Sequence, residues 1–477
     1  MSSSDFRVGI VGAGLVGALE ACLLAKRGFK VTLFEARHDG RTEQNFYGRS
    51  INLAISHRGI SALERLGFEN VVQECAIPMK ARMIHNNNGT LNPIPYDPDG
   101  RCINSIERSM LNNFLLNKAQ HELGVELKFE HKLVDMNADQ GELVFRLVEG
   151  RGEDGRVKLS QHLVSYQFDL ILACDGARSS VRSLLARQAQ MEFSQAFIEH
   201  GYLELRIDPN EDGSYQMAPN YLHIWPRGQY MMIALPNTDA SFTCTLFMPY
   251  SILDRLKDPK EGLRFFESNF PDSIRLIGAE RIATTLAQVR PSSLISIKCK
   301  PYYYKNKVAL LGDAAHAMVP FYGQGMNCGF EDCLVFDELL DEYLTGGGGG
   351  DSSNVDKDAI GRVLEEYSRR RCPNGHSMCE LAMYNYIEMR DLVNSWSFIM
   401  RKHLDNLLYR FFPARWVPLY TMVTFSRTPI HECVKRREEQ DKVLAKVFRF
   451  GTLPLLLGVI TIAWKQNFNG FCGLLRK

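Results

Sequence analysis

The residues with the most legible chemistry open the chain. Gly12, Gly14 and Gly17 are spaced G-x-G-x-x-G directly after the apolar run Val8-Gly9-Ile10-Val11. In such a turn Gly12 permits a tight reversal, Gly14 lets the backbone approach a pyrophosphate, and Gly17 lets a helix pack closely on a strand. A helix beginning there offers unpaired N–H groups and a partial positive charge to phosphate oxygens. A second apolar strand, Val31 to Phe34, ends in Glu35. That is roughly the ~20-residue separation at which an acid bonds ribose hydroxyls. The unit reads as dinucleotide binding, without saying which dinucleotide.

Two more turns of nucleotide type follow. Cys174-Asp175-Gly176-Ala177-Arg178-Ser179-Ser180-Val181-Arg182 succeeds the apolar run 169–173, and Gly312-Asp313-Ala314-Ala315-His316 succeeds 308–311. A nicotinamide enzyme typically needs only the first motif. A Gly-Asp turn puts an acid at a strand end, able to bond a polyol hydroxyl. The N–H groups around Gly325, Met326 and Asn327 could supply positive potential to a flavin ring reduced to its anion.

These turns need strands and helices to hold them, and the chain has room for both. At 477 residues, 45% hydrophobic and 23% charged, it is long enough for two or three domains with substantial cores. A net charge of +1 without a long basic tract predicts no nucleic-acid partner. The twelve cysteines form no CxxC pair and no Cys/His spacing for a metal. Reduced thiols on the cytosolic side of any membrane, and no signal peptide before the first strand, are expected. Periodicity predicts helices over 18–27, 58–66, 106–123 (with Ser105 as N-cap), 359–371 and 380–408. An antiparallel sheet is expected across about 192–284, from strands near 200–207, 221–226, 230–236 and 242–248. Residues 346–354 read as a flexible Gly-rich linker.

In order and spacing, GAGLVG, CDGARSSVR and GDAAHAMVPFYGQG resemble the single-component FAD-dependent aromatic hydroxylases. GRSINLAISHRG (48–59), ARMIH (81–85), NYLHIWPR (220–227), MYNYIEMR (383–390) and PLYTMVTFSR (418–427) extend the likeness over about residues 5 to 430. The resemblance implies an α/β fold: an FAD-binding Rossmann-like (GR2-type) domain with an inserted antiparallel β-sheet substrate domain and a C-terminal helical region. The expected divisions are 5–190 and 291–345 for the FAD-binding domain and 191–290 for the sheet. The linker is 346–358, the helical region 359–430 and the membrane-associating tail 431–477.

The resemblance also implies bound FAD, NADPH and O2 as co-substrates, and L-kynurenine as the substrate hydroxylated at its 3-position. A hydroxylase of another aromatic acid or a quinone precursor, and a flavin-fold scaffold without turnover, stand as alternatives. FAD is then expected on Gly12, Gly14, Val16 and Gly17 at the first turn, and on Phe34, Glu35, Ala36 and Arg37 around the ribose. Ala54 and Arg108 approach the pyrophosphate–flavin segment and Leu133 and Ser180 the adenine side. Asp313 meets the ribityl chain, and Met326 and Asn327 the ring. Arg82 with Tyr96, Asn385 and Tyr420 is expected to clamp the substrate's amino-acid head, because an arginine fork binds two carboxylate oxygens at once. No side chain is assigned as a catalytic acid or base: His316 reads as structural and Cys174 as a small buried hydrophobe. Gly451 to Trp464 carry no charge and suit a lipid interface or span, and the resemblance implies residence on the mitochondrial outer membrane, catalytic part to the cytosol. The apolar stretch 407–426, interrupted by Arg410 and Arg415, is expected to pack on protein.

Overall fold

The computed structural model describes residues 5–42, 52–151, 157–345, 355–390 and 396–447. Most of the expected linker (346–354) and the tail from 448 onward lie outside them.

The strand Arg7–Val11 pairs in parallel with Lys30–Phe34 on one side and Leu170–Ala173 on the other. Glu126–Lys128 and Val308–Leu310 extend this sheet in parallel, and the short Tyr303–Tyr304 closes one edge antiparallel. Val8, Ile10, Ile171, Leu172 and the whole of Val308–Leu310 are fully buried. Near-continuous apolar strands of this kind are what a parallel sheet covered on both faces requires. The three nucleotide-type turns leave the carboxyl ends of three neighbouring strands, which is the crevice where open α/β sheets bind ligands.

The second sheet has seven strands in the order Ser292–Lys300, Glu192–Ile207, Phe242–Pro249, Tyr230–Pro236, Tyr221–Arg227, Ala81–His85 and Leu91–Pro95. It is mixed rather than antiparallel throughout, because Tyr221–Arg227 pairs in parallel with Ala81–His85. Two of its strands therefore come from before the expected insertion, and one of them carries Arg82 into the sheet. The expected strands near 200–207, 221–226, 230–236 and 242–248 are all present, and the sheet adds Ser292–Lys300 from beyond the expected span. Residues 250–288 fold into four short helices, two of them opened by a proline at their first turn, Pro259–Asn269 and Pro271–Ile277. Asp258 caps the former by accepting the N–H groups of Lys260 and Glu261. Their apolar sides, with Phe266 and Phe270, pack on Trp225, Phe242 and Leu246 of the sheet.

Ser105 lies within the strand Ile103–Glu107 and donates its hydroxyl to the Pro236 carbonyl, so it caps no helix; the helix starts at Arg108. The helices expected over 359–371 and 380–408 are divided differently: Lys357–Arg390 is one helix, continuous through Pro373, and it ends well before 408. Gly375 explains part of this. A Cβ there would stand 2.5 Å from the Tyr302 hydroxyl and 2.9 Å from His316, so the helix crosses these residues at a distance only glycine allows. Trp396–Phe411 is a separate helix. A second apolar core, with Ile84, Phe247, Phe321, Tyr386 and Met422, joins the seven-stranded sheet to the long helix and to residues 417–434.

Candidate active site

The glycines of the first turn divide by role. A Cβ at Gly17 would fall 1.9 Å from the Gly12 oxygen, and one at Gly12 would fall 2.4 Å from the Cys174 oxygen. A Cβ at Gly14 would meet no heavy atom within 4 Å. Two glycines are thus required by packing, and the middle one leaves an open face at a helix N-terminus, as a phosphate cradle needs. Glu35 lies against this turn, accepting the Ala13 N–H (3.1 Å) and the Arg37 backbone and side-chain N–H groups (3.0 Å each). Phe34 serves through its carbonyl, which accepts the Gly12 N–H at 2.8 Å; its ring is core, stacked on Phe145. Ala36 follows half-buried, and Leu133 is a buried strand residue opposite Phe145.

The other turns interlock with the first. Ser180 and Val181 donate their N–H groups to one Asp175 oxygen at 2.6 and 3.1 Å, and the other oxygen is buried without a partner. Burial pushes this carboxyl up against those bonds. Val16 fills the space beside the third turn: a Cβ at Gly312 or Gly329 would reach its Cγ2 at 2.9 or 2.6 Å. Asp313 faces the cavity described below. Its enclosure raises the carboxyl's pKa, while the charges of Arg108 and His316 oppose the rise. Arg108 and Asp313, expected on different parts of one cofactor, are therefore electrostatic neighbours. Asn327 is buried and fully used: its Oδ1 accepts the Ser56 N–H, and its Nδ2 donates to the Ala54 and Gly323 carbonyls at 2.8 and 2.9 Å. It ties the ring loop to the strand Asn52–Ile55, with Met326 half-buried beside it.

Beneath the third turn lies a buried charge network that sequence reasoning missed. His316 Nε2 is 2.6 Å from Asp332 Oδ2, which also accepts the Gly312 N–H at 2.8 Å. Arg371 donates to Asp332 (2.6 Å) and to Glu331 (2.7 Å), and Arg58 pairs with Glu331 from the other side. Burial works against the Asp332 carboxylate, but His316 and Arg371 outweigh it and hold it below the usual carboxylate range. The signal lay in charges set within the apolar helix Gly325–Leu340. His316 is a member of this network, in keeping with its structural reading. Cys174 is a free, buried thiol, its pKa pushed up by burial.

One cavity of about 240 Å³ runs from this machinery to the second sheet. That is below the ~300–1,000 Å³ of drug-sized pockets and suits one small molecule. Its lining includes Asp313, Ala54 and Gly323, the polar side chains Arg82, Tyr96, Tyr322 and Tyr420, and the apolar Leu222, Ile233, Phe247 and Phe321. Arg82 is buried, with the rings of Tyr420 and Tyr96 at 5.1 and 5.7 Å and Glu388 at 3.2 Å. Burial opposes its charge, but Glu388, Tyr420 and Tyr96 outweigh that and raise its pKa. Tyr96, Tyr420 and Tyr322 stack in series at 5.5 Å spacings. Burial raises all three phenols, so they remain neutral donors at physiological pH, while Arg82 pulls against that rise at each.

Asn385 stands one layer behind the cavity, donating to the Phe321 carbonyl (2.6 Å) and to Met389 Sδ. It positions Phe321 rather than lining the cavity. Glu388 and Lys402 stand behind Arg82 and outside the cavity lining, Glu388 as its ion-pair partner. Burial and the like charge of Arg82 bring Lys402 down to about 7, and its Nζ donates to the Pro95 carbonyl at 3.0 Å. Neither was anticipated. Glu388 sits three residues beyond Asn385, the helical spacing that could have suggested it.

The chain resembles known proteins along nearly its whole length. A family model described as an FAD binding domain matches residues 5–376. The kynurenine 3-monooxygenase of Anopheles gambiae is 46% identical over 471 residues, covering 98% of this chain and 92% of that protein. The enzyme of that name from Sus scrofa is 43% identical over 481 residues, with 100% and 97% covered. Among solved structures, 2-methyl-3-hydroxypyridine-5-carboxylic acid oxygenase superposes with a TM-score of 0.61 at 21% identity, covering 82% of this chain and 94% of that one. At that identity the likeness concerns the fold.

Proposed function

The chain belongs to the kynurenine 3-monooxygenase family of FAD-binding proteins, and on that premise we propose that it hydroxylates L-kynurenine to 3-hydroxy-L-kynurenine, consuming O2 and NADPH. This places it in tryptophan catabolism towards NAD and quinolinate. FAD supplies the oxygen activation when bound. The open face at Gly14, the acids Glu35 and Asp313, Arg108 and the first-turn amides of the helix Gly325–Leu340 are chemically suited to hold it.

The observation that carries the reading is the buried Arg82, flanked by tyrosines in a mostly apolar cavity whose lining also includes Asp313. A substrate carboxylate meets the guanidinium fork with Tyr96 and Tyr420 as neutral donors. Glu388 offers the opposite charge for the α-ammonium group. Leu222, Ile233, Phe247 and Phe321 exclude water from the aromatic ring and fix its orientation, so the reacting carbon is presented in one geometry. The deciding experiment is NADPH oxidation by the purified holoprotein with and without L-kynurenine, with the product identified by mass. Stimulation with 3-hydroxykynurenine formed is expected. Stimulation only by another aromatic acid would reassign the substrate, and a yellow protein whose flavin stays oxidised would indicate a scaffold.

Attachment to the mitochondrial outer membrane through residues 431–477, catalytic part to the cytosol, belongs to the same proposal. Gly451–Trp464, fourteen residues without a charge, support it. A span needs ~20 apolar residues, so Lys465 and the Phe468–Leu475 continuation have to contribute. Among the described residues no helix is long and apolar enough to cross a membrane. Deleting 445–477 is expected to release the protein from membranes; persistence of binding would sink the tail assignment.

A further inference from the structure

Tyr96 enters the cavity from a turn built as one block. The strand Leu91–Pro95 ends beside it, with Pro95 opposite Ala81. Asp97-Pro98-Asp99-Gly100 follows, closed by the Gly100 N–H on the Asp97 carbonyl at 3.2 Å. Proline in second place and glycine in fourth suit a type I turn. Asp97 Oδ2 accepts the Asp99 N–H at 2.9 Å, and Arg101 grips both oxygens of the same carboxylate at 2.9 Å each. These bonds lie inside the block, so they fix its shape and leave its placement open.

Placement comes from residues more than 300 positions later. Of the stretch 407–426, expected to pack on protein, the short helix Leu419–Phe425 does so, whereas Leu407, Phe411 and Phe412 turn outward, 53%, 67% and 57% exposed. From the buried helix, Thr421 donates its hydroxyl to Asp97 Oδ1 at 3.0 Å, and both residues are buried. Phe425 lies 5.2 Å from the Arg101 guanidinium. From the helix Trp396–Phe411, Tyr409 donates to Asp99 at 2.6 Å, and Lys402 makes its bond to the Pro95 carbonyl. Residues 96 and 97 thus meet residues 420 and 421 in pairs, ring on ring at 5.5 Å and carboxylate on hydroxyl at 3.0 Å. A displacement of the block alters both pairs at once.

We propose that Thr421, with Tyr409 and Lys402, is a positioning residue for the substrate's amino-acid head, acting through the block that presents the Tyr96 hydroxyl. All three lie outside the cavity lining. The proposal rests on the kynurenine reading above, in which Tyr96 donates to the carboxylate held by Arg82. Groups that share one ligand have to be held within about 0.5 Å of their working geometry, and packing from a supporting layer does this. Here that layer is the pair of C-terminal helices. Removing the Thr421 hydroxyl leaves Asp97 its bonds to Arg101 and Asp99, so the turn keeps its shape.

Steady-state kinetics of the full-length holoprotein with L-kynurenine compares Thr421→Val, Thr421→Ser, Tyr96→Phe and the double variant of Tyr96→Phe with Thr421→Val. Valine keeps the shape of threonine without its hydroxyl. Thr421→Val is expected to raise KM about 5- to 20-fold, with a smaller change in kcat, and Thr421→Ser to restore it. Beside Tyr96→Phe the valine is expected to add less than about twofold, because the hydroxyl it positions is gone. A general loosening of the fold would instead multiply KM by the same factor in both backgrounds. Tyr409→Phe repeats the test at the exposed Asp99, with a rise of about 2- to 5-fold expected that again vanishes beside Tyr96→Phe. It decides the matter if Thr421→Val does not fold. Equal factors in the two backgrounds, or an unchanged KM, overturn the proposal while wild-type turnover leaves the kynurenine reading standing. A wild-type protein that does not respond to kynurenine removes both.

Discussion

A guanidinium buried between two phenol rings is costly unless something negative comes to meet it, and in this cavity Glu388 meets only part of it. Charge-assisted bonds to a substrate carboxylate contribute about 1.5–3 kcal/mol each. Arg82→Met is therefore expected to raise the KM for kynurenine about 10- to 100-fold. The same substitution strands the Glu388 carboxylate, so stability falls as well. Adding Glu388→Gln separates the two effects: thermal stability recovers while KM stays high. Steady-state kinetics and melting of both variants check this, and an unchanged KM in Arg82→Met removes the residue from the head-group site. Arg371 poses the converse case, a cation whose partners are all protein. Arg371→Met leaves Glu331 and Asp332 buried and under-compensated, and breaking such a pair costs about 3–5 kcal/mol. Urea unfolding is expected to show a loss of that size, with lowered flavin retention because Asp332 also holds the Gly312 N–H. A loss under about 1 kcal/mol would mean that the network contributes little.

At the scale of elements, the strands Ala81–His85 and Tyr221–Arg227 are joined by side chains as well as by their ladder. His85 bridges Asp272 (2.8 Å) and His223 (2.9 Å), and His223 also reaches the Ala218 carbonyl (2.8 Å). Burial, with His85 adding to it, brings His223 down from 6.5 to about 4, against the pull of the Ala218 bond and Asp272. Between those values the unfolded chain binds more protons than the folded one, so stability rises with pH across the window and is lost on acidification through it. The loss by pH 4 is about 2–3 kcal/mol for a shift of this size. His223→Gln is expected to flatten the profile between pH 4 and 6.5 in denaturant titrations; parallel profiles in both proteins would place the acid sensitivity elsewhere.

These same elements show why part of the molecule was legible in sequence and part was not. The three turns could be read because their constraints are local: Gly12 is needed for a positive φ, and Gly17 for a contact made within six residues. The helix through Pro373 and the crossover that brings Ala81–His85 beside Tyr221–Arg227 are decided by partners far along the chain, such as Tyr302 and His316 against Gly375. The Arg58–Glu331–Arg371–Asp332–His316 network spans more than 300 residues; charges within the apolar helix Gly325–Leu340 hint at buried partners, but no local pattern names them. Arg82, Tyr96 and Tyr420 were found by family likeness, whereas Glu388, Tyr322 and Lys402 depend on how the long helix and Trp396–Phe411 close over the cavity.

For the whole molecule, the crevice at the carboxyl ends of the parallel strands and the cavity under the seven-stranded sheet meet at Asp313 and Ala54. A dinucleotide held from the Gly12–Gly17 turn to that junction touches both sheets, so its binding has to stabilise the fold as a unit. Ligand present at about 100 times its dissociation constant adds about 2.7 kcal/mol. Gly14 allows this contribution to be isolated. Its φ of −74° and ψ of −178° suit any residue, and the space beside it is empty of protein. Gly14→Val is therefore expected to melt with the wild-type protein when both are stripped of FAD, and to gain nothing when FAD is returned. Gly17→Ala collides with the Gly12 oxygen and is expected to melt lower even without FAD. Differential scanning calorimetry of the three proteins with and without FAD distinguishes these roles. An FAD-dependent rise preserved in Gly14→Val would show that the pyrophosphate does not pass over the first turn.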